Sequence, residues 1–63
     1  MQKIQEIYEF KIVEQDGYWY VLHCGAQSGR MRTKQMADEY VKIHYEQAKE
    51  QFGEKYEVIL KVL

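Results

Sequence analysis

The spacing of apolar residues changes along this chain from a period of two to a period near 3.6. Between Thr33 and Phe52 no glycine or proline interrupts a run of good helix formers, and apolar residues recur on one face of a helical projection. The Thr33 hydroxyl can cap the N-terminus, and Gly53 stands where a left-handed residue often ends a helix. The pattern predicts an amphipathic helix over residues 33–52. Its apolar face would consist of Met36, Ala37, Tyr40, Val41, Ile43, His44, Tyr45, Ala48 and Phe52.

Period-two alternation indicates strands on both sides of this helix. Residues 8–12 alternate, and Asp16-Gly17, a pair typical of tight hairpin turns, separates them from the apolar run 18–24. Residues 30–32 predict a short third strand, and residues 56–63 predict a final one. We therefore expect residues 1–63 to form a single α+β domain in the order β-β-(β)-α-β. A small antiparallel sheet of three to four strands would carry one helix packed on one face.

The register of the hairpin decides which side of the second strand lies beneath the helix. A two-residue turn at Asp16-Gly17 sets Phe10 and Ile12 beside His23 and Val21. A three-residue loop, with Gly17 in a left-handed bulge, instead groups one apolar set: Tyr8, Phe10, Ile12, Tyr20, Leu22 and Cys24. We expect the second arrangement because its core face is more apolar, although a slip of one residue exchanges the two faces.

One helix covers one face of a sheet, so the other face meets water or a partner. The second strand is apolar on both sides, and either register leaves an aromatic and an aliphatic residue uncovered, with Val13 and Ile59 beside them. A contiguous group of this kind indicates an interface. The plainer alternative is a central strand that is apolar on both sides and partly shielded by Lys11 and Lys61. We expect the interface. The residues predicted to bind a partner are Trp19, Tyr20, Val21, His23, Arg30, Arg32 and Lys34.

The three basic residues of that set lie within five positions, at the predicted start of the helix. Free amide groups and the helix dipole attract anions there. In an extended segment Arg30 and Arg32 would point to the same side and could hold a phosphate or the carboxylates of a protein partner. The alternative is a solvated strand edge whose charges discourage aggregation.

Composition narrows the classes of protein to which the chain can belong. Its single cysteine excludes an intramolecular disulfide, and its nine basic and ten acidic residues give a net charge of −1, which does not favour general electrostatic capture of nucleic acid. No apolar run is long enough to span a membrane, and the first residues do not resemble a secretory signal. We expect a cytoplasmic protein with no membrane partner.

Candidate chemistry is limited to His23, Cys24 and His44. Neighbouring strand residues point to opposite faces, so His23 and Cys24 are not expected to share a metal ion. His44 could meet Cys24 in the preferred register. Catalysis by such a pair also needs an orienting group, an oxyanion site and a cleft, and the sequence indicates none of them. We predict no catalytic residues, no metal site and no cofactor.

Two segments of the chain carry a resemblance to a known family. They are Asp16-Gly17-Tyr18-Trp19-Tyr20-Val21 and Gly29-Arg30-Met31-Arg32-Thr33-Lys34, the second followed by Ala37 in the predicted helix. Together they resemble the arm-type DNA-binding domains of phage and transposon integrases. The resemblance covers about the middle third of the chain. It implies a sheet that enters the major groove of DNA. The chain departs from that pattern in its few basic strand residues, its extra strand after the helix and its negative net charge.

These observations predict a stand-alone, non-enzymatic protein-binding module, such as an inhibitor, regulator or adaptor, in a setting such as a phage or mobile element. Another protein is the expected partner, and nucleic acid, bound through Arg30, Arg32, Lys34 and the sheet face, is the alternative. An open sheet edge and an apolar face also predict a homodimer.

Overall fold

The computed structural model describes residues 3–63, in which one helix packs on one face of a four-stranded sheet. The spatial order of the strands is β3-β2-β1-β4. This arrangement confirms the predicted α+β fold class and the predicted helix and final strand. The elements are β1 (Ile4–Gln15), β2 (Tyr18–His23), β3 (Ala26–Gln27), α1 (Lys34–Phe52) and β4 (Tyr56–Val62).

The sheet is mixed, which corrects the prediction of a wholly antiparallel one. β2 pairs antiparallel with β1 and β3, whereas β4 pairs parallel with β1. The reason is the helix, whose 19 residues return the chain by about 28 Å before the last strand begins. A strand that follows such a return runs in the same direction as the strand beside it. The elements therefore make a crossover between β1 and β4.

The first hairpin has a two-residue turn, so the preferred three-residue loop was wrong. Asp16 and Gly17 have φ values of 54° and 82°, and Gln15 pairs directly with Tyr18. Positive φ at both central residues gives a turn whose twist matches that of the strands, and this outweighs the gain from a more apolar strand face. The backbone N–H of Gly17 also donates to Glu14 Oε1 at 3.2 Å. Phe10 consequently pairs with His23 and Ile12 with Val21.

A second turn of the same kind explains the position of the third strand. Cys24 and Gly25 have φ values of 51° and 77°, and the chain reverses there into β3. The third strand thus lies at residues 26–27, before the position predicted for it at residues 30–32. The predicted strand at residues 30–32 contributes only one bridge, between Met31 and Trp19, with N–O distances of 2.8 and 3.0 Å.

Thr33 caps the N-terminus of α1, as predicted, because its hydroxyl accepts a hydrogen bond from the Met36 N–H at 3.2 Å. Gly53 ends the helix for a different reason than expected. Its φ is −63°, in the right-handed region, and its N–H donates to the Lys49 carbonyl at 2.8 Å. A Cβ at this position would collide with that carbonyl oxygen. Glycine is needed here for close approach and not for a left-handed conformation.

The core lies where β1 changes neighbours. Residues 4–10 of β1 pair with β4, and residues 10–15 pair with β2, so Phe10 has a strand partner on each side. Phe10 is completely buried, and Val21 is 1% exposed. The helix contributes a narrower stripe than predicted, since Met36 and Ile43 are about half exposed. The buried residues that pack together are Phe10, Val21, Met31, Ala37 and Val41.

Candidate functional site

The face of the sheet opposite α1 carries a group of apolar residues that no described element covers. The core residues of β1 and β2 are Phe10 and Val21, and side chains alternate along each strand. Residues one position away therefore point to the other face. We call this group the tyrosine face, and it consists of Val13, Tyr18, Tyr20 and Leu22, with Arg30 at its border.

The strand register brings these side chains together. Val13 lies directly opposite Tyr20, Lys11 opposite Leu22, and Gln15 opposite Tyr18. Directly opposite residues on one face have Cβ atoms about 5 Å apart, which joins Val13 to Tyr20. Residues two positions apart on a strand are separated by about 7 Å, which places Tyr18 and Leu22 on either side of Tyr20, so the four apolar side chains are contiguous. Tyr18 is 37% exposed, and Tyr20 is half-buried although no helix lies above it. The result is a flat apolar surface with polar groups at its border.

Arg30 reaches this surface because of an irregularity in the chain beside β2. Ser28 pairs with Val21: its N–H donates to the Val21 carbonyl at 2.9 Å, and its hydroxyl accepts from the Val21 N–H at 2.9 Å. A regular ladder would place Arg30 opposite Trp19, but Met31 occupies that position. One extra residue therefore bulges out between the two contacts. The bulge turns Met31 into the core and sets the Arg30 guanidinium 5.0 Å from the centre of the Tyr18 ring.

The other two predicted basic residues lie nearby but outside the tyrosine face. Arg32 follows the bridge in a bend, and Lys34 is the first residue of α1. Both are exposed. The three basic residues thus lie in the segment that leads from the bulge into α1, and of the three only Arg30 is held against an aromatic ring.

Three residues predicted to bind a partner lie on the helix side of the sheet instead. Val21 is a core residue and is not accessible, which excludes it from a binding surface. Trp19 is half-buried and packs against the core, and His23 stacks on Phe10 at 4.2 Å between ring centres. The cause is the two-residue turn, which directs the odd-numbered residues of β2 toward the helix. Of the predicted β2 residues, Tyr20 belongs to the uncovered face.

His23 and Cys24 lie side by side, contrary to the expectation that they point apart. Cys24 has left the strand for the left-handed turn, and its Sγ is 3.5 Å from His23 Nε2. His23 Nδ1 is 2.9 Å from the Glu9 carbonyl oxygen, which can only accept. Nδ1 therefore donates to this oxygen, whereas Cys24 Sγ, which is 3.5 Å from Nε2 and 3.8 Å from Nδ1, lies away from the lone-pair direction of Nε2. His44 does not meet Cys24 but stacks with Tyr40 at 4.2 Å.

Two further properties concern metals and membranes. Within residues 3–63, no three His, Cys, Asp or Glu side chains are grouped so that they could hold a metal ion. No helix in the part of the chain that the structure describes is both long enough and apolar enough to cross a membrane.

Comparison of the chain with protein-family models, with curated proteins and with solved structures gives no match. The residues that the sequence predicts to bind a partner do not include Tyr18, Leu22 and Lys11. The preference of Asp-Gly for a two-residue turn was the signal that could have found them, because that turn fixes which residues of β2 face outward.

Proposed function

We propose that this chain is a non-enzymatic protein-binding module that acts in the cytoplasm as an inhibitor, regulator or adaptor. The observation that carries the proposal is the uncovered tyrosine face, in which two tyrosines, a leucine and a valine are contiguous. Tyrosine is enriched among the residues that dominate binding energies at protein interfaces, because it combines a large apolar ring with a polar tip and few rotatable bonds. A free thiol such as Cys24 is also compatible with a reducing compartment.

The polar groups of the tyrosine face support the same proposal. Within residues 3–63 the hydroxyls of Tyr18 and Tyr20 make no hydrogen bond, so both are free to bond with a partner. Arg30 is already placed over Tyr18, which lowers the entropy lost when its forked donors are ordered on binding. Lys11 adds a second positive charge opposite Leu22. The surface that fits is an apolar patch on another protein with carboxylates beside it.

Binding measurements on matched variants test this assignment. The chain, a Tyr20→Ala variant and a Lys42→Ala control would serve as baits in lysate from the cells that carry the gene. Lys42 is exposed on α1, on the opposite side of the sheet. A protein retained by the chain and by the control should be lost from Tyr20→Ala, since truncating a central tyrosine typically weakens affinity by about 30-fold. Equal retention by all three baits would contradict the proposal.

Nucleic acid is the alternative occupant, and salt dependence separates the two. If Arg30, Arg32 and Lys34 each contacted one phosphate, affinity would fall about 40-fold between 50 and 200 mM salt. An apolar protein interface should change only slightly over that range. Gel-shift titration with random duplex and single strands supplies the measurement. Binding that shows the steep loss and disappears in Arg30→Ala/Arg32→Ala would replace our proposal with the nucleic-acid function.

A further inference from the structure

The two edge strands of the sheet differ in length. β3 has two residues, and the segment after it contacts β2 through Ser28 and Met31 around a bulge; a short strand and a bulge both discourage the addition of another strand. Along the outer edge of β4, no segment within residues 3–63 pairs with the strand. Among the described residues, the Tyr45 hydroxyl donates a long hydrogen bond of 3.4 Å to the Val58 carbonyl at this edge.

The orientation of the open edge follows from the last hydrogen bond of the sheet. The Leu63 N–H donates to the Phe10 carbonyl at 2.8 Å, so the backbone of Leu63 faces β1. Successive residues of a strand direct their backbone groups to opposite sides. The residues whose N–H and C=O groups face away from β1 are therefore Tyr56, Val58, Leu60 and Val62.

The seven residues of β4 include no proline and no bulge, two of the devices that commonly protect sheet edges. The strand does carry two charged side chains, Glu57 and Lys61, but their charges are opposite. On the helix side of the strand, Leu60 is 37% exposed and Val62 is 48% exposed. Apart from the Val58 carbonyl, which accepts from Tyr45, the edge thus combines backbone groups that no described strand pairs with and uncovered apolar side chains.

We infer that this edge pairs with β4 of a second copy of the chain, antiparallel about a two-fold axis at Ile59. In this register all seven residues overlap. Glu57 lies opposite Lys61 of the partner subunit, and Lys61 lies opposite the partner's Glu57, so two pairs of opposite charge form. Ile59 meets the partner's Ile59 at the axis. On the helix side, Val58 faces the partner's Leu60, and Tyr56 faces the partner's Val62.

Other registers lose this complementarity. Only shifts by two residues keep the outward backbone groups opposite one another and the helices on one side. A shift in one direction places Lys55 opposite Lys61 of the partner subunit. A shift in the other direction places Glu57 opposite the partner's Leu63. The register with the most residues paired is therefore also the one with matched charges.

Pairing of this kind joins two four-stranded sheets into one of eight strands, with both helices on the same side. The two tyrosine faces then lie on the face of the joined sheet that is opposite the helices. The inference does not depend on the proposed function, because it uses the edge of β4 and not the tyrosine face.

A disulfide placed at the axis tests the register. In a Cys24→Ser background, Ile59→Cys should form a covalent dimer under mild oxidation, because directly opposite residues of a non-hydrogen-bonded pair have Cα atoms about 4.5 Å apart. Glu57→Cys is the control: its two copies would lie about 14 Å apart and should not link. Linking of the control as fast as Ile59→Cys, or of neither variant, would overturn the register.

Charge exchange gives a test that does not depend on substitution at the axis. Glu57 and Lys61 are both exposed, so their replacement should leave the fold of the subunit intact, which circular dichroism can check. Sedimentation should show a dimer for the chain, and Glu57→Lys or Lys61→Glu alone should weaken it about ten- to a hundredfold, because each replaces two attractive pairs with two repulsive ones.

Mixing the two single variants should restore dimerisation, since every pair in the mixed dimer again has opposite charges. The double variant Glu57→Lys/Lys61→Glu should also dimerise. A monomer at all concentrations up to 100 μM, or a dimer equally strong in all variants, would reject the β4 interface.

Discussion

The register of the first hairpin can be tested by truncating one apolar residue on each side of β2. Val21 is 1% exposed beneath α1, whereas its neighbour Leu22 is half-buried on the uncovered face. We expect Val21→Ala to destabilise the fold more than Leu22→Ala, although the leucine substitution removes more carbon atoms. A three-residue turn would reverse this order, because Leu22 would then be the core residue.

The magnitude follows from the burial of Val21. Loss of two methyl groups removes about 1.6 kcal/mol of transfer free energy. A residual cavity of about 25 Å³ would add about 0.6 kcal/mol at ~24 cal/mol per Å³. The sum, about 2 kcal/mol, is large for a chain of 63 residues, whose total free energy of unfolding is expected to be about 3–9 kcal/mol. Leu22→Ala should cost less than about 1 kcal/mol because its side chain is already partly hydrated and leaves no closed cavity.

Urea titration followed by the fluorescence of Trp19, the single tryptophan, measures both values. All variants should be compared at one protein concentration, since dimerisation would make stability depend on concentration. In thermal unfolding, Val21→Ala should lower the Tm by about 15 °C, from an unfolding entropy of about 130 cal/mol/K. A loss for Leu22→Ala equal to or greater than that for Val21→Ala would refute the register and the assignment of the uncovered face.

Four further substitutions, one of them a control, test local features. Gly17→Ala should lower the free energy of unfolding by about 1 kcal/mol because φ at this position is 82°. Gly29→Ala is the control: φ there is not positive and no atom lies within 4 Å of the new Cβ, so stability should hardly change. Thermal melting compares the two variants directly. Thr33→Ala should cost about 1 kcal/mol in urea titration through loss of its hydrogen bond to the Met36 N–H, and an unchanged midpoint would argue against the cap. Met31→Ala should cost at least about 2 kcal/mol if the bulge turns this residue into the core; a loss below 0.5 kcal/mol would contradict that placement.

Local rules predicted those parts of the fold that depend on near neighbours in the chain. The helix follows from an uninterrupted run of helix formers and a hydroxyl at Thr33, and both act within a few residues. The reversal at Asp16-Gly17 was likewise predicted. The length of this turn was not predicted. The apolar pattern of the strands favours a three-residue turn, whereas the conformational preference of Asp-Gly favours two residues, and the second preference decides the structure.

The tyrosine face was predicted only in part for the same reason. Side chains alternate with a period of two, so the error of one residue in the turn moved Trp19, Val21 and His23 from the outer face to the helix side. The position of Arg30 required a second piece of information. Its contact with Tyr18 depends on a bulge that places Met31 opposite Trp19, and no local pattern in residues 26–31 predicts that extra residue.

Local patterns in the sequence predict one long amphipathic helix, an Asp-Gly hairpin, a final strand and a second strand that is apolar on both sides. These properties depend on backbone preferences and on spacing, which are local. The packing of the fold decides which side of the second strand is covered, that β4 runs parallel to β1, and that the third strand lies at residues 26–27. Those outcomes depend on contacts between residues far apart in the chain, where burial of Phe10 and Val21 against α1 selects one arrangement among several that the local patterns allow.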